Sequence, residues 1–107
     1  MSYYMIQASY TAPAVATMVK NPQDRAAAVR PMIERMGGKL HGLWFAFGEF
    51  DIVAIAEMPD NVSATAVSMA IGSSGTMSSF RSTPLMTAAE AVEAMKKAAA
   101  VTYPAPK

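Results

Sequence analysis

With 107 residues, the chain holds one hydrophobic core and is too short for two. Its 52% apolar content excludes a disordered chain, and its 16% charged content is low for a surface lying wholly in water. Nine Lys and Arg stand against eight Asp and Glu, a formal charge of +1 with no basic run, so the electrostatic footprint of a nucleic-acid binder is absent.

Residues Tyr3 to Tyr10 are rich in Tyr, Met and Ile and carry no charge, which predicts a first strand. Thr11-Ala12-Pro13 breaks it. A short helical turn follows to Lys20, and Asn21-Pro22 reads as the start of a longer helix, with Asn as cap and Pro at the first position. Ala26, Val29, Ile33 and Met36 keep helical spacing. Pro31 cannot donate to the Ala27 carbonyl, so a kink or break is expected between residues 27 and 31. Gly37-Gly38 ends the helix.

Lys39 to Phe47 and Phe50 to Met58 are predicted as an antiparallel hairpin around a tight turn at Gly48-Glu49. Pro59-Asp60-Asn61 opens a helix capped by Asp60 and running to about Ile71, where Gly72-Ser73-Ser74-Gly75 stops it. Thr76 to Thr83 reads as a fourth strand, whose hydroxyl residues mark it as an edge. Thr87-Ala88-Ala89-Glu90 is a capping box that opens an Ala-rich helix to about residue 100. Residues 102–107 are read as a flexible tail after a single domain at 1–101. The order β-α-β-β-α-β with a terminal helix predicts a ferredoxin-like α+β fold, its two main helices on one face of a four-stranded sheet.

That sheet has a second face. A strand with one side in water alternates apolar and polar residues, yet Val53 and Ile55 oppose Ile52, Ala54, Ala56 and Met58. Leu43, Phe45 and Phe47 likewise oppose Leu40, Trp44 and Ala46. Burial of each large apolar side chain is worth roughly 1.5–3 kcal/mol, so an uncovered face would be adhesive. A second copy of the chain is the expected cover, with the terminal helix folding over it as the alternative.

Absence of Cys removes disulfides, thiolate chemistry and Cys-based metal sites, and the single His41 cannot form a multi-histidine site in one chain. No metal or cofactor is expected. The opening segment MSYYMIQASY has neither a basic region nor an apolar stretch of signal-peptide length. The longest apolar runs, Leu43–Phe47 and Ile52–Ala56, fall far short of the ~20 residues of a membrane span. A cytoplasmic setting away from membranes is therefore expected.

Gly37-Gly38-Lys39-Leu40 and the run from Phe45 through Gly48-Glu49-Phe50-Asp51 to Val53 resemble the GYD domain family of small bacterial proteins. Glu57-Met58-Pro59-Asp60-Asn61, Gly72-Ser73-Ser74-Gly75 and Thr83-Pro84-Leu85-Met86-Thr87 extend the resemblance over nearly the whole chain. It implies a dimeric α+β-barrel type of fold and assigns no activity. The Gly-x-Tyr-Asp signature reads Gly48-Glu49-Phe50-Asp51 here, so any role of that tyrosine hydroxyl is missing.

Four side chains are candidates for a pocket or ligand site. Asp51 can orient a ligand or act as a base, or it can be a turn carboxylate serving amides near Gly48; turn chemistry favours the second. His41 is the natural acid–base group, but that role requires a positioned partner, which the sequence does not identify. Arg81 can clamp a carboxylate or pair with Asp51 or Glu57, or simply guard an edge strand. Tyr10 can close a pocket or lie half-buried. The ten Met residues suit an adaptable cavity, an interface or core filling.

Three functions remain open. One is a homo-oligomeric module holding a small apolar molecule in a cavity or interface. The second is a cofactor-free isomerase or monooxygenase acting on an apolar or aromatic substrate, with His41 and Asp51 moving protons. The third is a structural assembly protein. Sparse acid–base residues favour the first.

Overall fold

The computed structural model describes residues 1–107. Its elements are β1 (Ser2–Tyr10), α1 (Ala12–Lys20), α2 (Arg25–Arg35), β2 (Lys39–Phe45), β3 (Ile52–Met58), α3 (Asn61–Gly72), β4 (Met77–Leu85) and α4 (Ala88–Ala99). The strands form one antiparallel sheet in the order β2-β3-β1-β4. This is the expected ferredoxin-like arrangement, with α1 added to the first crossover and α4 appended after the last strand. The hydroxyl-rich β4 is indeed an edge, and its Pro84 sits opposite Tyr4, where an edge tolerates a residue without an amide proton.

The core lies between the sheet and the α2–α3 layer. On β3 the alternation is complete: Ile52, Ala54, Ala56 and Met58 are buried, while Val53, Ile55 and Glu57 point away from the helices. Ile33 of α2 and Ala64 and Val67 of α3 pack on Tyr4, Leu40, Ala54, Ala56 and Met58. The Tyr4 hydroxyl donates to Asn61 Oδ1, tying β1 to the start of α3. Gly37, at φ +84°, turns the chain out of α2, and a Cβ on Gly38 would stand 2.4 Å from the Glu57 carbonyl oxygen. That close approach brings α2 down onto β3.

Several boundaries depart from the sequence reading. Asn21 does not cap α2; its amide donates to Thr17 O and closes α1, and Asp24 caps α2 by accepting from the Ala27 amide at 3.1 Å. Pro31 does not break α2, which runs through it. Pro31 and Ala27 are both exposed, so water can serve the carbonyl that lost its partner. The β2–β3 connection is wider than a tight turn and spans residues 46–51. There Ala46 donates to Asp51 O and Asp51 to Ala8 O, and Phe50 is buried.

The remaining helix does not cover the open sheet face. None of the α4 residues is buried, and α4 makes no substantial packing against any other element. The radius of gyration is accordingly 17.2 Å, against about 13 Å for a compact domain of this size. No helix is long and apolar enough to cross a membrane.

Candidate functional site

The helical layer is incomplete at one end of the sheet. Where α2 and α3 meet β1 and β3 near Tyr4 and Ala56, large side chains close the core. Toward Ala8 and Ala54, small residues lower the middle of the floor, and α1 with the first half of α2 forms a loose roof. A cavity of about 410 Å³ results, within the usual size range of ligand pockets. Ile6, Ala8, Leu43, Ile52, Ala54 and Phe80 form its floor, all from the helix-facing side of the sheet. Met18 of α1, Val29 and Met32 of α2, and Ile71 of α3 form the roof.

Fifteen of its twenty lining residues are hydrophobic, and Arg25 is the only charged side chain among them. Arg25 is half-buried at the first position of α2, and its Nη1 donates to Gln23 Oε1 at 2.7 Å. Tyr10 lines the same cavity, with its ring stacked on Phe45 at a centroid distance of 6.2 Å. Of the four candidates from the sequence, Tyr10 alone reaches this space.

Asp51 stands beside the cavity in a structural role. Its Oδ2 accepts from the Tyr10 amide at 2.9 Å, so the carboxylate does serve the backbone, although the amide belongs to β1 and not to the Gly48 turn. Arg81 pairs with neither Asp51 nor Glu57; the ion pairs within 4 Å are His41–Glu57 and Lys96–Glu93. Its guanidinium lies 5.4 Å from the centre of the Phe50 ring. The residue that replaces the signature tyrosine is thus buried under a cation and presents no hydroxyl.

His41 finds its partner on the opposite face of the sheet. One extra residue of β2, His41, is accommodated between the partners of Ala56 and Ile55, because the register shifts between Leu40 and Gly42. This bulge breaks the parity between His41 and Leu43: His41 follows the buried Leu40 onto the open face, toward Glu57, while Leu43 returns to the helix side opposite Ala54. His41 Nε2 lies 2.6 Å from Glu57 Oε1, and the Tyr3 ring lies 5.3 Å from the imidazole. The hydrogen bond from His41 holds the Glu57 carboxyl below its ordinary range, against a smaller opposing effect of desolvation; the Tyr3 hydroxyl bond and the Lys39 charge add to the lowering. The negative charge of Glu57, in turn, pushes the Tyr3 hydroxyl up. Glu57 was legible only as a charge in an apolar strand, and Tyr3 only through its register opposite Glu57. No three potential metal-ligating side chains converge anywhere.

Around this cluster the open face is apolar. Met5, Val53 and Ile55 share it, and the Trp44 indole lies across Gly42, where a Cβ would come within 2.5 Å of the ring. Trp44 is 57% exposed.

No curated protein and no solved structure matches the chain significantly. A family model described as the GYD domain matches residues 4–95, which takes in every strand, the cavity and the His41–Glu57 pair. The chain belongs to the GYD domain family.

Proposed function

We propose that this protein is a homo-oligomeric binding module that holds a small, largely apolar molecule between its helices and its sheet. The observation that carries the reading is the 410 Å³ apolar cavity with few polar groups at its edge. A general acid or base in that space would favour catalysis, but Tyr10 and Arg25 are its only ionisable linings. His41 and Glu57, the best acid–base pair, lie behind the sheet on the open face. An enzyme using them would have to bind its substrate there, and that is the second reading, supported by the pair's short hydrogen bond.

The oligomer rests on the open face itself. Met5, Val53 and Ile55, half-buried, and the exposed Trp44 present apolar surface that no helix of the same chain covers, and α4 presents Val92 and Met95, both exposed. A two-fold dimer lets each copy serve as the other's cover. Native mass spectrometry on protein isolated gently tests both parts at once. A dimer or larger assembly with retained extra mass supports the reading. A bare monomer that also shows no thermal shift with small aromatic or aliphatic probes overturns it.

A further inference from the structure

Resting on that cavity reading, we infer that the occupant is an amphipathic anion: an aromatic or aliphatic carboxylate whose apolar body fills the cavity while Arg25 holds its charged end. An apolar chamber alone would select by size and shape. This one has a single guanidinium on its wall and no acidic side chain among its lining residues.

Arg25 is not accounted for by other needs of the fold. It has no carboxylate within 4 Å, and the neighbouring Asp24 spends its Oδ1 on the Ala27 amide. It occupies the first position of α2, where the positive end of the helix dipole disfavours a cation. Its one side-chain hydrogen bond is to Gln23, which also lines the cavity and whose Nε2 donates to Asn21 O. Gln23 is thus itself held, and it fixes one edge of the guanidinium. The remaining N–H groups of the fork have no protein acceptor, and a planar carboxylate matches their geometry. A cation set against the helix dipole, with most of its N–H fork unmatched by the chain, is expected where a ligand completes it.

The test uses the full-length chain and two probes of nearly equal shape, 2-naphthoate and the uncharged 2-naphthamide, titrated calorimetrically. A charge-assisted hydrogen bond is worth about 1.5–3 kcal/mol, which predicts naphthoate binding on the order of 10- to 100-fold more tightly than the amide. Arg25→Gln abolishes that preference by weakening naphthoate far more than naphthamide, whose neutral carbonyl loses less, with a thermal midpoint equal to or above the wild type's because the helix loses an unfavourable charge. Ala28→Trp, which fills the roof beside Arg25, weakens both probes. Equal affinity for the two probes overturns the anion inference and leaves the cavity reading standing, as does a preference that survives Arg25→Gln. Failure of both probes to bind overturns the cavity reading together with it.

Discussion

His41 Nε2 and Glu57 Oε1 lie 2.6 Å apart across β2 and β3, on the face of the sheet that carries no helix. Regular alternation from the buried Leu40 directs His41 to this face, and the bulge that follows returns Leu43 to the helix side opposite Ala54. Because the Glu57 carboxyl is held below its ordinary range, its contribution to stability is complete above the unfolded value of about 4.3 and disappears as pH falls through the lower folded value. Thermal midpoints measured from neutral to strongly acid pH should therefore fall more steeply for the wild type than for Glu57→Gln. Parallel curves would mean that Glu57 titrates alike in the folded and unfolded chain.

The Asp51 carboxylate joins the end of β1 to the start of β3 through the Tyr10 amide. Asp51→Ala leaves that amide without an acceptor and should cost about 1–3 kcal/mol in denaturant unfolding. Asp51→Asn keeps an oxygen in place and should cost less. Since Tyr10 and Ile52 both line the cavity, Asp51→Ala should also weaken any cavity ligand. A loss of binding without a loss of stability would instead point to direct ligand contact.

Two glycines differ in what opposes an added methyl group. At Gly38 the obstacle is the Glu57 carbonyl, backbone of a central strand, and Gly38→Ala should destabilise by about 1–3 kcal/mol. At Gly42 the obstacle is the Trp44 ring, which can rotate away into solvent. Gly42→Ala should therefore stay near wild-type stability while shifting the emission of the chain's single tryptophan. Unfolding data on both variants, with fluorescence on the second, separate a blocked backbone from a displaced side chain.

Local signals carried most of the fold. Asp60 and the Thr87–Glu90 box cap their helices as their spacing predicted, with Thr87 Oγ1 accepting from the Glu90 amide and Glu90 Oε1 from that of Thr87. At the start of α2 two local signals compete: Asn21 and Asp24 both suit a helix start, and the end of α1 at Asn21 decides between them. The candidate site was less legible because it depends on register. His41 and Glu57 are sixteen positions apart and meet through the pairing of β2 with β3, and no periodicity in the sequence announces the one-residue shift that separates His41 from Leu43. Arg25 opens α2, and its place on a cavity wall emerges only when α2 packs over β1 and β3, which supply Ala8 and Ala54 to the floor.

Ile55 sits opposite Met5 near the middle of the open face and is the most informative residue for the proposed assembly. In a separate chain, Ile55→Lys would extend its ammonium group into water and disturb little. Between two apposed sheets, the same group would be buried without a partner, at a cost of several kcal/mol for each copy. Light scattering across a dilution series should therefore show the wild type as a dimer or larger and Ile55→Lys as a folded monomer. Removing residues 86–107 tests the contribution of α4 separately. Because α4 buries none of its residues within its own chain, truncation should leave the fold of the sheet intact. If α4 grips the second copy, truncation lowers assembly affinity; if assembly is unchanged, the sheet faces alone hold the copies together. A wild-type monomer at all concentrations would leave Trp44, Val53 and Ile55 in water and remove the basis for a two-fold assembly.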